Sequence, residues 1–253
     1  LPTYMLSKLA REHVTVVLSG DGGDELFAGY TRYVTDRNRS GLERLPRSIR
    51  QGLVRPLSEA LPHGARGKNY LFNISLDAAA RYIDSISHFN GPGKRRLYSD
   101  EIKTKMNGSF ERGEKLFREI AGNMTSNDPV ENLLYLDSKT YLPSDILTKV
   151  DRMTMASSLE ARSPLLDHRL IEYVTRIPSE LKLKGNETKY IFKKAIEGFV
   201  PPAILYREKQ GFGVPIGDWI NLQLKDRITG DLSDKRALER GYFDTKYVSL
   251  LLD

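Results

Sequence analysis

There is no cysteine in these 253 residues. Disulfides, thiolate metal sites and cysteine nucleophiles are therefore excluded within the chain. Histidine is scarce: His13, His63, His88 and His168 are scattered, without the spacing of metal ligands. Long apolar runs are missing too, and no stretch of about 18 uncharged apolar residues offers a membrane span. The opening Leu1-Pro2-Thr3 has no initiator methionine, basic n-region or apolar h-region, so it is no signal peptide, and we expect a piece cut from something longer. The lack of cysteine fits a cytoplasmic protein. Neither an internal repeat nor a low-complexity tract is visible.

What is present is an ordinary globular composition. Hydrophobic residues make up 40% and charged residues 28%, enough for one sizeable core or two small ones. Lysine and arginine outnumber the acids by 39 to 33. Much of the excess falls in segment 32–68, which includes Arg32, Arg37, Arg39, Arg44, Arg47, Arg50 and Arg55. Such a run suits a nucleic-acid or polyphosphate surface. It more simply suits a solvated helical face, because Leu42, Leu45, Ile49, Leu53 and Leu57 interleave with amphipathic spacing and no RNA or DNA motif accompanies them. We expect neither a nucleic-acid nor a membrane partner.

Val14-Thr15-Val16-Val17-Leu18 is a β-branched run closed by glycines, and it reads as a fully buried strand of a parallel sheet. Met5–Ala10 before it reads as the end of a helix. The rest reads as helix and loop. Val130, Leu133, Leu134 and Tyr141 share a helical face that Pro143 interrupts, and Asp145 is placed to cap a second helix. Leu170, Ile171, Val174 and Ile177 form another face. Ile191, Phe192, Ala195, Ile196 and Phe199 form a further one before Pro201-Pro202. A single strand leaves backbone groups unpaired on both edges. Either strands are missed or the partners lie upstream of Leu1, and we expect the second.

The chemistry concentrates in Ser19-Gly20-Asp21-Gly22-Gly23-Asp24-Glu25. Its glycines let backbone approach a ligand, yet its acids would repel a bare phosphate. A divalent cation between acid and phosphate resolves the conflict. Asp21 and Asp24 can share a face if a helix begins here. The pattern is neither a P-loop nor an EF-hand loop. On residues alone, a polar turn with helix-capping acids explains it equally well.

Ser19-Gly20-Asp21-Gly22-Gly23-Asp24-Glu25-Leu26-Phe27-Ala28-Gly29-Tyr30 closely resembles the signature of the glutamine-hydrolysing asparagine synthetases. So does Leu159-Glu160-Ala161-Arg162-Ser163-Pro164-Leu165-Leu166-Asp167, and so do Lys189-Tyr190 and Tyr206-Arg207-Glu208-Lys209-Gln210-Gly211-Phe212. The three motifs follow in the family's order across about residues 1–220.

The resemblance implies that 1–253 are the C-terminal part of the synthetase domain. The fold expected is mostly α, a fragment of an α/β domain, with helices packed around one or few parallel strands in the manner of adenine-nucleotide α-hydrolases. The implied cofactors are ATP and Mg²⁺. The implied reaction makes asparagine from aspartate and glutamine-derived ammonia through an aspartyl-AMP. The partners are an N-terminal glutaminase domain and, compatibly, a second copy in a homodimer. By resemblance, Ser19 and Gly20 contact the nucleotide, Asp21 is the catalytic carboxylate that accepts a proton from the attacking ammonia, Asp24 holds Mg²⁺-pyrophosphate and Lys209 neutralises transition-state charge. Glu160, Arg162 and Asp167 are expected to form an ion-pair framework. The glutaminase cysteine and the family's S-G-G-x-D-S pyrophosphate loop are absent from this sequence, so the chain alone is expected to be inactive. Alternatives are a relative amidating another carboxylate or closing a β-lactam, and a non-catalytic helical interaction module.

Overall fold

The computed structural model describes residues 1–41, 45–62, 65–89, 91–107, 112–207, 211 and 213–252. They form two compact units: one comprises 1–81 and 119–212, the other 82–118 and 213–253. The architecture is mostly helical with a small parallel sheet of two strands.

In the first unit, helix α1 (Pro2–Arg11) leads to strand β1 (Val16–Leu18). A glycine turn and a single helical turn, α2 (Gly23–Leu26), follow, and then α3 (Thr31–Ser40). Later come α4 (Pro129–Lys139), α5 (Thr148–Met155), strand β2 (Glu160–Arg162) and α6 (His168–Thr175). The short α7 (Ser179–Lys182) and α8 (Tyr190–Ile196) complete the set used below. Pro129 sits at the start of α4, where its missing N–H costs nothing, and the Asp128 carboxylate caps the Val130 N–H at 2.7 Å.

One partner of β1 lies inside the chain, a strand the sequence did not reveal. β2 pairs with it in parallel, Val16 against Glu160, Val17 against Ala161 and Leu18 against Arg162. The ladder extends past both strand ends, with Glu160 N–H donating to Thr15 O at 2.9 Å and Ser19 N–H to Arg162 O at 2.8 Å. Nor is β1 fully buried. Val16 is 40% and Leu18 74% exposed, because no other described strand or helix covers those side chains.

The core forms where the periodic faces predicted it. Leu26, Phe27 and Val174 are buried, with Leu170, Ile171, Ile177, Ile191 and Phe192 packed against them. The rings of Phe27 and Phe192 stack 4.7 Å apart. Burying each such side chain contributes about 1.5–3 kcal/mol. Phe199 does not join this face and is largely exposed. The helix ends at Ile196, and Gly198, at φ 88°, reverses the chain. Val130, Leu133 and Leu134 are buried as expected. As expected, the helical run stops just before Pro143: it ends at Lys139, where Thr140 leaves helical geometry. Pro143 then stands near the start of a wide π turn over Leu142–Leu147 that continues into α5, so Asp145 lies inside the turn and caps nothing.

The helical reading of the basic segment holds, while its apolar residues stay in solvent. Leu45, Ile49, Leu53 and Leu57 are exposed, and Leu42 and Arg44 lie outside the described residues. Several arginines are used internally: Arg39 donates to Asn73 Oδ1 at 2.7 Å and Arg50 to Leu76 O at 2.7 Å. No described helix is long and apolar enough to cross a membrane.

The second unit is also helical. Its segments include Gly91–Leu97, Asp100–Met106, Lys225–Ser233 and Thr245–Leu252. Tyr98 and Phe243 join in an antiparallel bridge with their rings 6.0 Å apart.

Candidate active site

The glycine turn stands at the carboxyl end of β1, where open α/β sheets place their ligands. Gly22 takes φ 88°, and a Cβ there would lie 2.2 Å from Leu166 Cδ2, so only glycine allows the turn to close against 164–166. The Ser19 hydroxyl donates to Asp21 Oδ2 at 2.8 Å and lies 2.9 Å from Ser163 Oγ, which follows β2. The first two family-like motifs therefore meet in space through Ser19 and Ser163.

Helix α2 starts at Gly23, after Asp21. Asp21 and Asp24 therefore do not ride on one helical face; they hold different partners. Asp24 Oδ1 lies 3.1 Å from Lys189 Nζ, each side chain about a quarter exposed. Lys189 adopts a left-handed backbone, φ 55°, immediately before α8, and its N–H donates to Phe27 O at 3.1 Å. The motif containing Lys189 was legible in the sequence, but nothing there assigned this lysine a partner. Lys209 lies outside the described residues.

Behind the turn is a buried polar layer. Glu25 is 2% exposed and accepts a hydrogen bond from Tyr30 OH at 2.6 Å. Burial pushes its carboxyl above the usual range, against the opposing effect of the Tyr30 hydrogen bond. Burial and the Glu25 contact push the Tyr30 phenol up as well. Asp137, fully buried, accepts from Arg32 Nη2 at 2.6 Å and from Tyr33 OH. The Arg32 guanidinium lies 4.0 Å from the Tyr30 ring centre and 4.6 Å from that of Tyr141.

The expected framework of Glu160, Arg162 and Asp167 divides in two. Glu160 and Arg162 alternate onto one side of β2 and pair at 2.7 Å. Asp167 instead holds Arg169 at 2.8 Å and caps α6 through the Arg169 N–H.

The asparagine synthase family model matches residues 1–253, the whole chain. The chain belongs to that family. It is 34% identical over 262 residues to the glutamine-hydrolysing asparagine synthetase 1 of Bacillus subtilis, covering 100% of this chain and 39% of that protein. It is 37% identical over 224 residues to a putative glutamine-hydrolysing asparagine synthetase of Mycobacterium bovis, covering 87% of this chain and 33% of that one. The amidase chyE of Penicillium rubens is 25% identical over 258 residues, covering 91% of this chain and 37% of that protein. The chain thus spans well under half the length of these curated relatives.

Proposed function

We propose that residues 1–253 are the C-terminal part of a synthetase domain whose full-length protein makes asparagine from aspartate, ATP and glutamine-derived ammonia. The observation that carries this is the turn after β1, where Ser19, Asp21 and the Asp24–Lys189 pair stand together in a chain that matches the family throughout. The finer architecture we propose is that of the adenine-nucleotide α-hydrolases, with further parallel strands beyond β1. Ammonia would come from an N-terminal glutaminase domain.

In this reading an oxygen of the aspartate side-chain carboxylate bonds to the α-phosphorus of ATP, and pyrophosphate leaves. Ammonia then attacks the acyl carbon of the aspartyl-AMP, AMP leaves, and a proton is lost to Asp21. Gly20 suits close backbone approach, since nothing lies within 4 Å of where its Cβ would be. Ser19 donates to a phosphate oxygen once turned from Asp21. Lys189 and Lys209 balance the charge of the leaving group.

The donors at the turn fit Mg²⁺: hydroxyl and carboxylate oxygens are hard ligands, and Asp24 is partly exposed. No group of three or more His, Asp or Glu that could hold a metal gathers among the described residues. That agrees with a cation held by one or two carboxylates plus the nucleotide's own phosphates. Mg²⁺ when bound would neutralise phosphate charge.

In the full-length protein, aspartate should drive exchange of labelled pyrophosphate into ATP. Asp21→Ala and Lys209→Ala should each lower net synthesis by about 10²–10³-fold. Synthesis unchanged in both variants would overturn the reading in favour of a non-catalytic module. The amidase-named relative favours one second reading, a different carboxylate acceptor. A panel of carboxylic acids in the same exchange assay separates the two.

A further inference from the structure

A cavity of about 370 Å³ lies in the first unit beside α4, on the side of α2 that carries Glu25 and Leu26. None of Ser19, Gly20, Asp21, Asp24 or Lys189 lines it. Lys182, the last residue of α7, does line it and is only 4% exposed. No hydrogen bond or ion pair joins Lys182 to any described residue. Its Nζ is not among the fully enclosed unpaired atoms and opens on the cavity, where a largely desolvated ammonium favours an anionic group. Burial draws its pKa down, and the nearby Glu131 and Asp128 oppose that.

Carboxylates line the same space. Glu25 accepts from Tyr30 through Oε1, and Glu131 accepts from Ser126 through Oε2 at 2.5 Å. Leu26, Leu134 and Ile171 give the cavity an apolar wall. An inorganic anion would meet Lys182 but be repelled by the two acids. A simple cation would meet the reverse. A zwitterion satisfies both, and a cavity of this size with an apolar wall and a few polar groups is of the kind that holds small molecules.

We propose that this cavity binds a small α-amino acid with an uncharged side chain, its carboxylate against Lys182, its ammonium against Glu131 and Glu25, and its side chain on Leu26, Leu134 and Ile171. The site shares none of the turn's proposed ligand residues and does not depend on the reaction assigned there. It does adjoin that turn, because Glu25 follows Asp24 within α2.

Calorimetric titration of the full-length protein without nucleotide tests this, using L-alanine, L-leucine, L-asparagine and inorganic phosphate as probes. At least one of the three amino acids should bind. Lys182→Met should weaken that binding by about tenfold or more, the loss expected when a charge-assisted hydrogen bond is removed. Thr175→Trp, at an exposed position lining the cavity, should block it with every charge intact. If Lys182→Met does not fold, Thr175→Trp decides alone. The proposal is overturned if none of the three amino acids binds, if the folded variants bind them as the wild type does, or if phosphate binds more tightly than all three.

Discussion

Gly29 shows how closely the turn's two charges are held. A Cβ there would stand 1.9 Å from Asp24 Oδ1 and 2.3 Å from Lys189 Cε, so a methyl group must drive the pair apart. Gly29→Ala should cost little in urea melts, about 1 kcal/mol or less, because the atoms in the way are the ends of flexible side chains. Its larger effect should be on the proposed chemistry, with pyrophosphate exchange in the full-length protein falling by about tenfold or more, the scale of a lost electrostatic contact. Exchange at the wild-type rate would mean that the Asp24–Lys189 geometry does not matter. Glu25 supplies a second test through pH. Its pKa in the folded protein is raised above the ordinary 4.5, chiefly by burial. The folded state therefore holds this proton more tightly than the unfolded one, and its contribution is stabilising at low pH. That contribution is lost as pH rises from about 4.5 through the higher folded value. Glu25→Gln, which still accepts from Tyr30, should remove this dependence. Unfolding free energies across pH 4–8 should show the variant gaining on the wild type over that window. Parallel curves would contradict it.

At the scale of elements, the strand, the glycine turn and 164–166 act as one piece. Gly22→Ala meets both a left-handed φ of 88° and the Leu166 side chain 2.2 Å away. It should cost about 2–4 kcal/mol, strain plus overpacking, read as a lower melting temperature. Gly20→Ala, with open space around its Cβ position, should leave stability nearly unchanged; equal losses in both variants would remove the argument from close approach. The same elements show what a sequence reveals. The β-branched residues of β1 and the repeating apolar faces of α6 and α8 were legible because side-chain periodicity reports burial. β2 was not, since Glu160-Ala161-Arg162 carries charge on its exposed side and pairs through backbone alone. The burial of β1 was over-read for the converse reason: β-branched residues record a preference for strand, while covering them needs a neighbour. The π turn at Pro143 escaped because proline signals an end from sequence, yet at the start of a wide turn it removes no needed donor. At the site, Ser19 and Asp21 were singled out through the family resemblance, and a hydrogen bond joins them. The Asp24–Lys189 pair joins residues far apart in sequence, and only the fold brings them within reach.

At the scale of the whole molecule, the sheet of two strands is the limiting feature. Val16 and Leu18 on β1, and Met5, Leu6 and Leu9 on α1, are all exposed. The chain also spans only 39% and 33% of the asparagine synthetases named above. In the proposed reading the nucleotide side of the turn is furnished by Ser19, Gly20, Asp21, Asp24 and Lys189, while an S-G-G-x-D-S run is absent from these 253 residues. If the proposed adenylate forms, its pyrophosphate must be held as it departs, and the proposed lysines supply side-chain charge but no backbone donors for it. The isolated 253 residues should therefore release no pyrophosphate above background with ATP, Mg²⁺, aspartate and an ammonium salt. The full-length protein under the same conditions should release it. Supplying ammonia directly bypasses the proposed glutaminase, so inactivity would trace to these residues themselves. Clear turnover by the isolated chain would show that the turn after β1 and its lysines suffice to hold and activate ATP, and that the missing loop is dispensable.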